Sequence, residues 1–416
     1  HEDAIAELEK MLALARSVGD RRAEGLALAD LAFAHFTTLS AAHVPQARRA
    51  TEEAYVIGQE TGDQHVLAKS VGLLGVLDQA EGNLVEGDRE LEESIRIGET
   101  HGFKDITSLS LMYLGVSANW RGDFRRALLL SERAERAAAE AHDQFSENIA
   151  IAFRCLAHIA LGEYGEGLAV INDGLAKARE RNLAFNIGRL TNSLGWFHQE
   201  LGDFRRAAEL DREAADLGQR HKLPNVEISS LINLGIDYVH LGEAPKAVTM
   251  MEEVLGRAEN AFGAHRWRWA LRIVVPLTEA LIATGQADKA VVHVERGLAQ
   301  ARATGCKKYV GKIYALRGEI ALAERAWGRA TADLAEALRI AREIAYPTLT
   351  WQCAHLLARA QAGLGKREEA LVSARLAAET IDTVVARIPD PALKSTFLAW
   401  PRVQAVKEDL DRFGRG

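Results

Sequence analysis

The reactive side chains of this 416-residue sequence do not assemble into a catalytic pattern. General acid–base work by two carboxylates needs both in one cleft. The adjacent pairs Glu252-Glu253 and Glu368-Glu369 instead lie on solvated helix faces. Among the 13 histidines, His198 and His240 sit on helical stretches without a partner at metal-ligand spacing. The 3 cysteines, Cys155, Cys306 and Cys353, are far apart, odd in number and form no CxxC pair. They argue against a disulfide framework or zinc site and fit a reducing compartment. A phosphate cradle would need GxxxxGK[ST], whereas GLGK at 363–366 lacks the first glycine and the terminal hydroxyl. GxSxG, HExxH, GxGxxG and EF-hand loops do not occur. Arg125-Arg126 and Arg205-Arg206 are local clusters on a chain of net charge -7, which gives no broad positive field for nucleic acid. Two close tryptophans, Trp267 and Trp269, stand in the basic stretch HRWRW and are a secondary binding candidate, or an irregular piece of core. These residues predict a non-enzymatic chain with no cofactor and no metal.

The elements carrying them repeat. Asn186–Pro224 reads as two amphipathic helices joined at Gly202-Asp203, and the plan returns forty residues on at Gly242-Glu243 and eighty back at Gly122-Asp123. A fixed period of this size signals stacked supersecondary units. Five residues past successive turns stand Ala47, Gly87, Ala127, Gly167, Ala207, Ala247, Ala290, Ala330 and Ala370. The first helices carry their own small column at Gly75, Gly115, Cys155, Gly195, Gly235, Thr278, Gly318 and Ala358. Small side chains are needed where paired helices cross closely, and enlarging one costs about 1–3 kcal/mol. Cys155 therefore reads as a buried packing residue. The pattern predicts an all-α chain with one leading helix, nine helix pairs and a tail. Three stretches depart from it. Residues 260–281 hold three extra residues and Pro276, which should kink its helix. At Arg325 the turn glycine is missing. The tail after residue 387 has an apolar face through Phe397, Trp400, Val403, Val406 and Leu410, and is expected to cap the last pair. The expected division is a half repeat at 1–20, an array at 21–387 and a capping segment at 388–416. The opening stretch reads as the second helix of a repeat whose first helix is missing, so a fragment of a longer array is expected.

Leu194-Gly195, Tyr238, Ala207 and Ala214 stand where the tetratricopeptide repeat (TPR) has Leu-Gly, Tyr, Ala and Ala, and the chain resembles that family. The resemblance implies a right-handed α-solenoid of about nine TPR-like pairs. A second resemblance rests on NSLGWFHQELGD, ISSLINLGIDYVHLGE, HRWRW, KKYVGKIYALRGE and IPDPALKSTFL. These stretches are similar to TPR arrays C-terminal to the core of bacterial STAND-class and cyclase-linked signalling ATPases. This likeness implies a sensor arm, with the chain's own upstream ATPase as one partner. By the TPR pattern the first helices line a concave groove. The inward positions are then Arg189, Asn192, Trp196, Gln199 and Glu200, with Asn119, Trp120, His240, Arg272 and Glu279. Lys69, Arg189, Arg272 and Lys312 share one column, a rail for an acidic ligand. The expected partner is a protein, peptide or small effector in this groove, with constitutive scaffolding as the alternative. Specific nucleic acid and membrane are not expected partners: no apolar run reaches the ~18 residues of a membrane span, and the N-terminus lacks a signal-peptide pattern. A cytoplasmic location is expected.

Overall fold

The computed structural model describes residues 2–38, 40–261 and 265–414. Among them are 21 helices and no strand. The leading helix is α1 (Glu2–Val18). Nine pairs follow: α2 (Arg21–Thr37) with α3 (Val44–Thr61), α4 (Gln64–Glu81) with α5 (Leu84–His101), and α6 (Lys104–Arg121) with α7 (Phe124–Ala141). The middle pairs are α8 (Gln144–Ala160) with α9 (Tyr164–Glu180), α10 (Ala184–Glu200) with α11 (Phe204–Arg220), and α12 (Pro224–His240) with α13 (Ala244–Ala261). The last are α14 (Arg266–Ala283) with α15 (Ala287–Ala303), α16 (Lys307–Ala323) with α17 (Trp327–Glu343), and α18 (Pro347–Gly363) with α19 (Arg367–Arg387). The tail forms two helices, α20 (Pro391–Ala399) and α21 (Pro401–Gly414). The break falls at Trp400, extended at φ -62 and ψ 123, because a residue before proline is driven out of the helical region.

Helix boundaries follow local chemistry. Asp20, Asp63 and Asp203 each cap the next helix by accepting from its first free N–H groups, which also places a negative charge at the positive end of the dipole. The turn lacking glycine keeps the same backbone: Arg325 is left-handed at φ 56, and α16 and α17 separate around it. Pro276 lies inside α14, which continues through it. The small columns sit where helices cross. Ala47, Ala127, Ala207, Ala247, Ala290, Ala330 and Ala370 are all 0% exposed. A Cβ on Gly75 would stand 2.7 Å from the Gly87 carbonyl oxygen, so the α4–α5 crossing admits no methyl. Cys155 is fully buried in the same column, and burial pushes its thiol up to about 12, which leaves it protonated and inert.

The chain divides into two compact units. The first comprises residues 1–118, 126–150 and 256–270. Its core includes Leu28, Leu31, Ala54, Ile57 and Leu73. The HRWRW stretch belongs to this unit. The Trp267 indole donates to the Gln79 carbonyl at 3.0 Å, the His265 N–H donates to Ala80, and the His265 ring meets Phe36 edge-on. Trp267 and Trp269 are 6% and 1% exposed, so both rings are core of this unit and not a surface.

The second unit comprises residues 119–125, 151–255 and 271–416. Its helices do more than stack on their neighbours. Tyr164 meets Thr348 hydroxyl to hydroxyl, Tyr346 donates to Glu200, and Arg387 donates to the Leu161 carbonyl. The tail was expected to lie across the last pair. α21 does pack on α19. The junction at Trp400, however, reaches back to Phe204 at 5.4 Å and His240 at 5.9 Å, and also meets Trp351 at 5.4 Å. Phe204 and the indoles bury large apolar area together, which open stacking would leave wet.

Candidate functional site

First helices of successive pairs converge on a cleft in the second unit. From α10 come Trp196, Gln199 and Glu200, from α12 Ile236 and His240, and from α14 Val275 and Glu279. From α16 come Lys312, Leu316 and Glu319. The spacing is i, i+3, i+4 and i+7, which puts each group on one helix face. Tyr346 and Thr348 at the start of α18, with Trp400 and Arg402 of the tail, complete the wall. The cleft holds about 90 Å³. That is far below the roughly 300–1,000 Å³ of a pocket for a drug-sized ligand, and suits one side chain or a few waters.

The lining is polar where it is fixed and aromatic where it is open. Glu200 is buried and accepts the Tyr346 hydroxyl at 2.6 Å. His240 stacks on Phe204 at 4.0 Å and 12°. Burial, and then the nearby Arg402 cation, push its imidazole down to about 3, so it is neutral at physiological pH. Burial raises the Glu279 carboxyl, opposed by Arg402 and assisted by the negative neighbour Glu319. Gln199 donates both to the Asn233 carbonyl and to Asp237, each at 2.8 Å, and so is held rather than offered. Trp196 is half-buried, with the Lys308 ammonium 4.6 Å from its ring.

Five of the ten groove candidates therefore line one cleft: Trp196, Gln199, Glu200, His240 and Glu279. The other five do not line it. Asn192 is buried and donates to Asp211 at 2.7 Å. Asn119 donates to the Phe153 carbonyl, and Trp120 meets the Phe153 ring edge-on, both away from the cleft. Arg189 and Arg272 converge on the Ser229 hydroxyl at 3.1 and 2.9 Å. Of the expected cationic rail, Lys69 lies in the other unit and pairs with Asp30. The repeat pattern missed Tyr346, Trp400, Arg402 and Lys308. The two aromatics stand directly before prolines at helix starts, Tyr346-Pro347 and Trp400-Pro401, a local signal that an aromatic is fixed at a break.

Among the described residues no group of three or more His, Cys, Asp or Glu is placed to hold a metal ion. No described helix is long and apolar enough to cross a membrane.

The tetratricopeptide repeat profile matches residues 189–221 and 228–266, the α10–α13 region that supplies much of the cleft. No curated protein matches the chain. Among solved structures it is similar to a Rap protein complexed with Competence and Sporulation Factor, at 15% identity and TM-score 0.61, over 86% of this chain and 98% of that one. It is also similar to the apo quorum sensor NprR from B. thuringiensis, at 15% identity and TM-score 0.49, over 88% of this chain and 99% of that one. A third is a STAND protein with a tetratricopeptide repeat sensor from Pyrococcus horikoshii, at 14% identity and TM-score 0.45, over 90% of this chain and 55% of that one. At such identities the likeness is one of fold. The chain thus has the all-α fold of the helical-repeat solenoids, with tetratricopeptide repeats matched at its centre.

Proposed function

We propose that the chain is a non-enzymatic protein-interaction module whose second-unit cleft receives one anchoring side chain of a peptide or protein. The observation that supports this reading is the convergence of five first helices on a small cleft, with Trp196 open beside fixed polar groups. Aromatic anchors in desolvated pockets dominate binding energy at interfaces. The Rap protein of the same fold is in complex with Competence and Sporulation Factor, which agrees with a binding role for this fold. The stretches similar to signalling-ATPase arrays extend the reading to a sensing arm of a larger bacterial signal-transduction ATPase, working in the cytoplasm. Such an arm acts only if its ligand binds the two states of the ATPase with different affinity.

Affinity capture from native lysate with the wild-type chain and with Trp196→Ala tests the cleft. Loss of a captured partner in the variant, by tenfold or more, is expected. Equal capture by both places binding elsewhere and removes the cleft from consideration. ATP hydrolysis by the intact parent protein, with and without that partner, separates a sensor from a constitutive scaffold: an unchanged rate leaves only scaffolding.

A further inference from the structure

The cleft of the second unit is short of hydrogen-bond donors. Gln199 and Glu200 are 5% and 6% exposed. Gln199 uses its amide N–H groups on Asn233 and Asp237, and Glu200 receives the Tyr346 hydroxyl on one oxygen. Among the described residues nothing donates to the remaining oxygens, Gln199 Oε1 and Glu200 Oε2, nor to Glu279 Oε2. All three residues line the same cleft. A buried acceptor without a donor is costly, and a carboxylate more so than an amide. Lys312 and Arg402 also line the cleft but act on Glu279 only through space, and neither reaches these oxygens. The Lys312 ammonium lies 5.6 Å from the Tyr346 ring instead. With Glu319, the wall sets three carboxyls against these two cations, and His240 is neutral. Burial accordingly raises the Glu279 carboxyl despite Arg402 and Lys312. The rest of the wall includes aliphatic groups, Ile236, Val275 and Leu316, and the rings of Trp196 and Trp400.

We infer that the side chain this cleft takes from its partner is basic, a lysine or an arginine, whose cationic head donates to Gln199, Glu200 and Glu279. The inference rests on the reading of the cleft as the binding site, and adds the charge of the anchor. An ammonium or guanidinium supplies only donors, which is what the three oxygens lack. Its methylene stem suits the aliphatic groups of the wall, and its charge suits the indole faces. A carboxylate or phosphate anchor would bring acceptors to acceptors. An apolar anchor would shut the three oxygens away from water with no donor.

NMR titration of the full chain, followed at the indole N–H signals of Trp196 and Trp400, tests this. The probes are N-acetyl-L-argininamide, N-acetyl-L-lysinamide and the uncharged isostere N-acetyl-L-citrullinamide, at matched ionic strength. At least one cationic probe is expected to shift both signals saturably. The citrulline probe should bind at least tenfold more weakly than the arginine probe, because it keeps the shape and loses the charge. Glu279→Gln, which keeps the size and an acceptor, should weaken the cationic probes at least fivefold and leave the citrulline probe within twofold. No saturable shift from either cation, equal affinity for the arginine and citrulline probes, or unchanged cation affinity in a folded Glu279→Gln each overturns the inference. Should that variant not fold, the probe comparison on the wild type decides alone. The tighter of the two cations names the anchor as arginine or lysine. If Trp196→Ala loses the captured partner while neither cation binds, the cleft stands and the basic anchor falls. If a cation binds through Glu279 while capture ignores Trp196→Ala, the cation site stands and the partner reading of the cleft falls.

Discussion

At the scale of the residue, the most consequential groups are buried carboxyls that carry no binding role. Burial holds Asp211 and Asp237 above the usual carboxylate range; Asp237 raises Asp211 further, and Asp203 raises Asp237. Asn192 and Gln199 of α10 donate to them, while Arg212 of α11 and Arg272 of α14 oppose the rise. The folded state thus keeps protons that the unfolded chain releases near pH ~4. Bound protons exceed those of the unfolded chain above that pH, so stability falls as pH rises. Asp237→Asn keeps the acceptor for Gln199 and removes the titration. Its advantage over wild type, read as urea stability, is expected to grow by on the order of 1–3 kcal/mol between pH 5 and pH 8. An advantage unchanged with pH would mean that Asp237 is charged in the fold. None of this was legible in the sequence. Asp211 and Asp237 fall on different helices of different pairs, and nothing in a period of forty says that one acts on the other's charge. Trp196 and Glu200 were legible, because the inward face of a first helix follows from repeat register alone.

At the scale of the element, the turns and the tail's seat on the last pair are legible in the sequence, and the tail's reach back to Phe204 and His240 is not. Turn residues obey local backbone rules, which a single sequence displays. The tail's contacts depend on helices some 160–200 positions earlier, which it does not display. Gly202 joins the two. It is left-handed at φ 73, and a Cβ there would stand 2.9 Å from Cγ of Trp400. Gly242 has a similar φ of 83 and open space around it. Gly242→Ala is therefore expected to cost about 1 kcal/mol for the left-handed backbone alone. Gly202→Ala adds overpacking of about 1–3 kcal/mol against the indole. Chemical denaturation of both variants checks the difference, and equal losses would show that Trp400 is not seated on this turn.

At the scale of the molecule, each unit has to be considered by itself. An open repeat array has a stability close to the sum of its repeats and their nearest-neighbour interfaces. The second unit departs from that sum, because Tyr164, Glu200 and Leu161 are bonded to Thr348, Tyr346 and Arg387. Removing residues 388–416 would take away Phe397, Trp400, Val403 and Val406, all core of this unit. Hydrogen exchange is expected to quicken at residues 196–240 in the truncated chain as strongly as in α19. Protection retained at 196–240 would show that the unit behaves as an ordinary open stack. The helix count and pairing were legible because each pair is a local event. The closure was not, since the small residues that allow it look the same in an array that never closes.

Closure also bears on how the protein is made. Residues 151–255 leave the ribosome long before residue 400 does, at about 5–20 residues per second. For that interval Phe204, Phe197 and Tyr164 lack the indole and phenyl rings that later cover them. The nascent chain is in that window a sticky half-product, whose fate depends on chaperones and on the speed of translation as much as on its final stability.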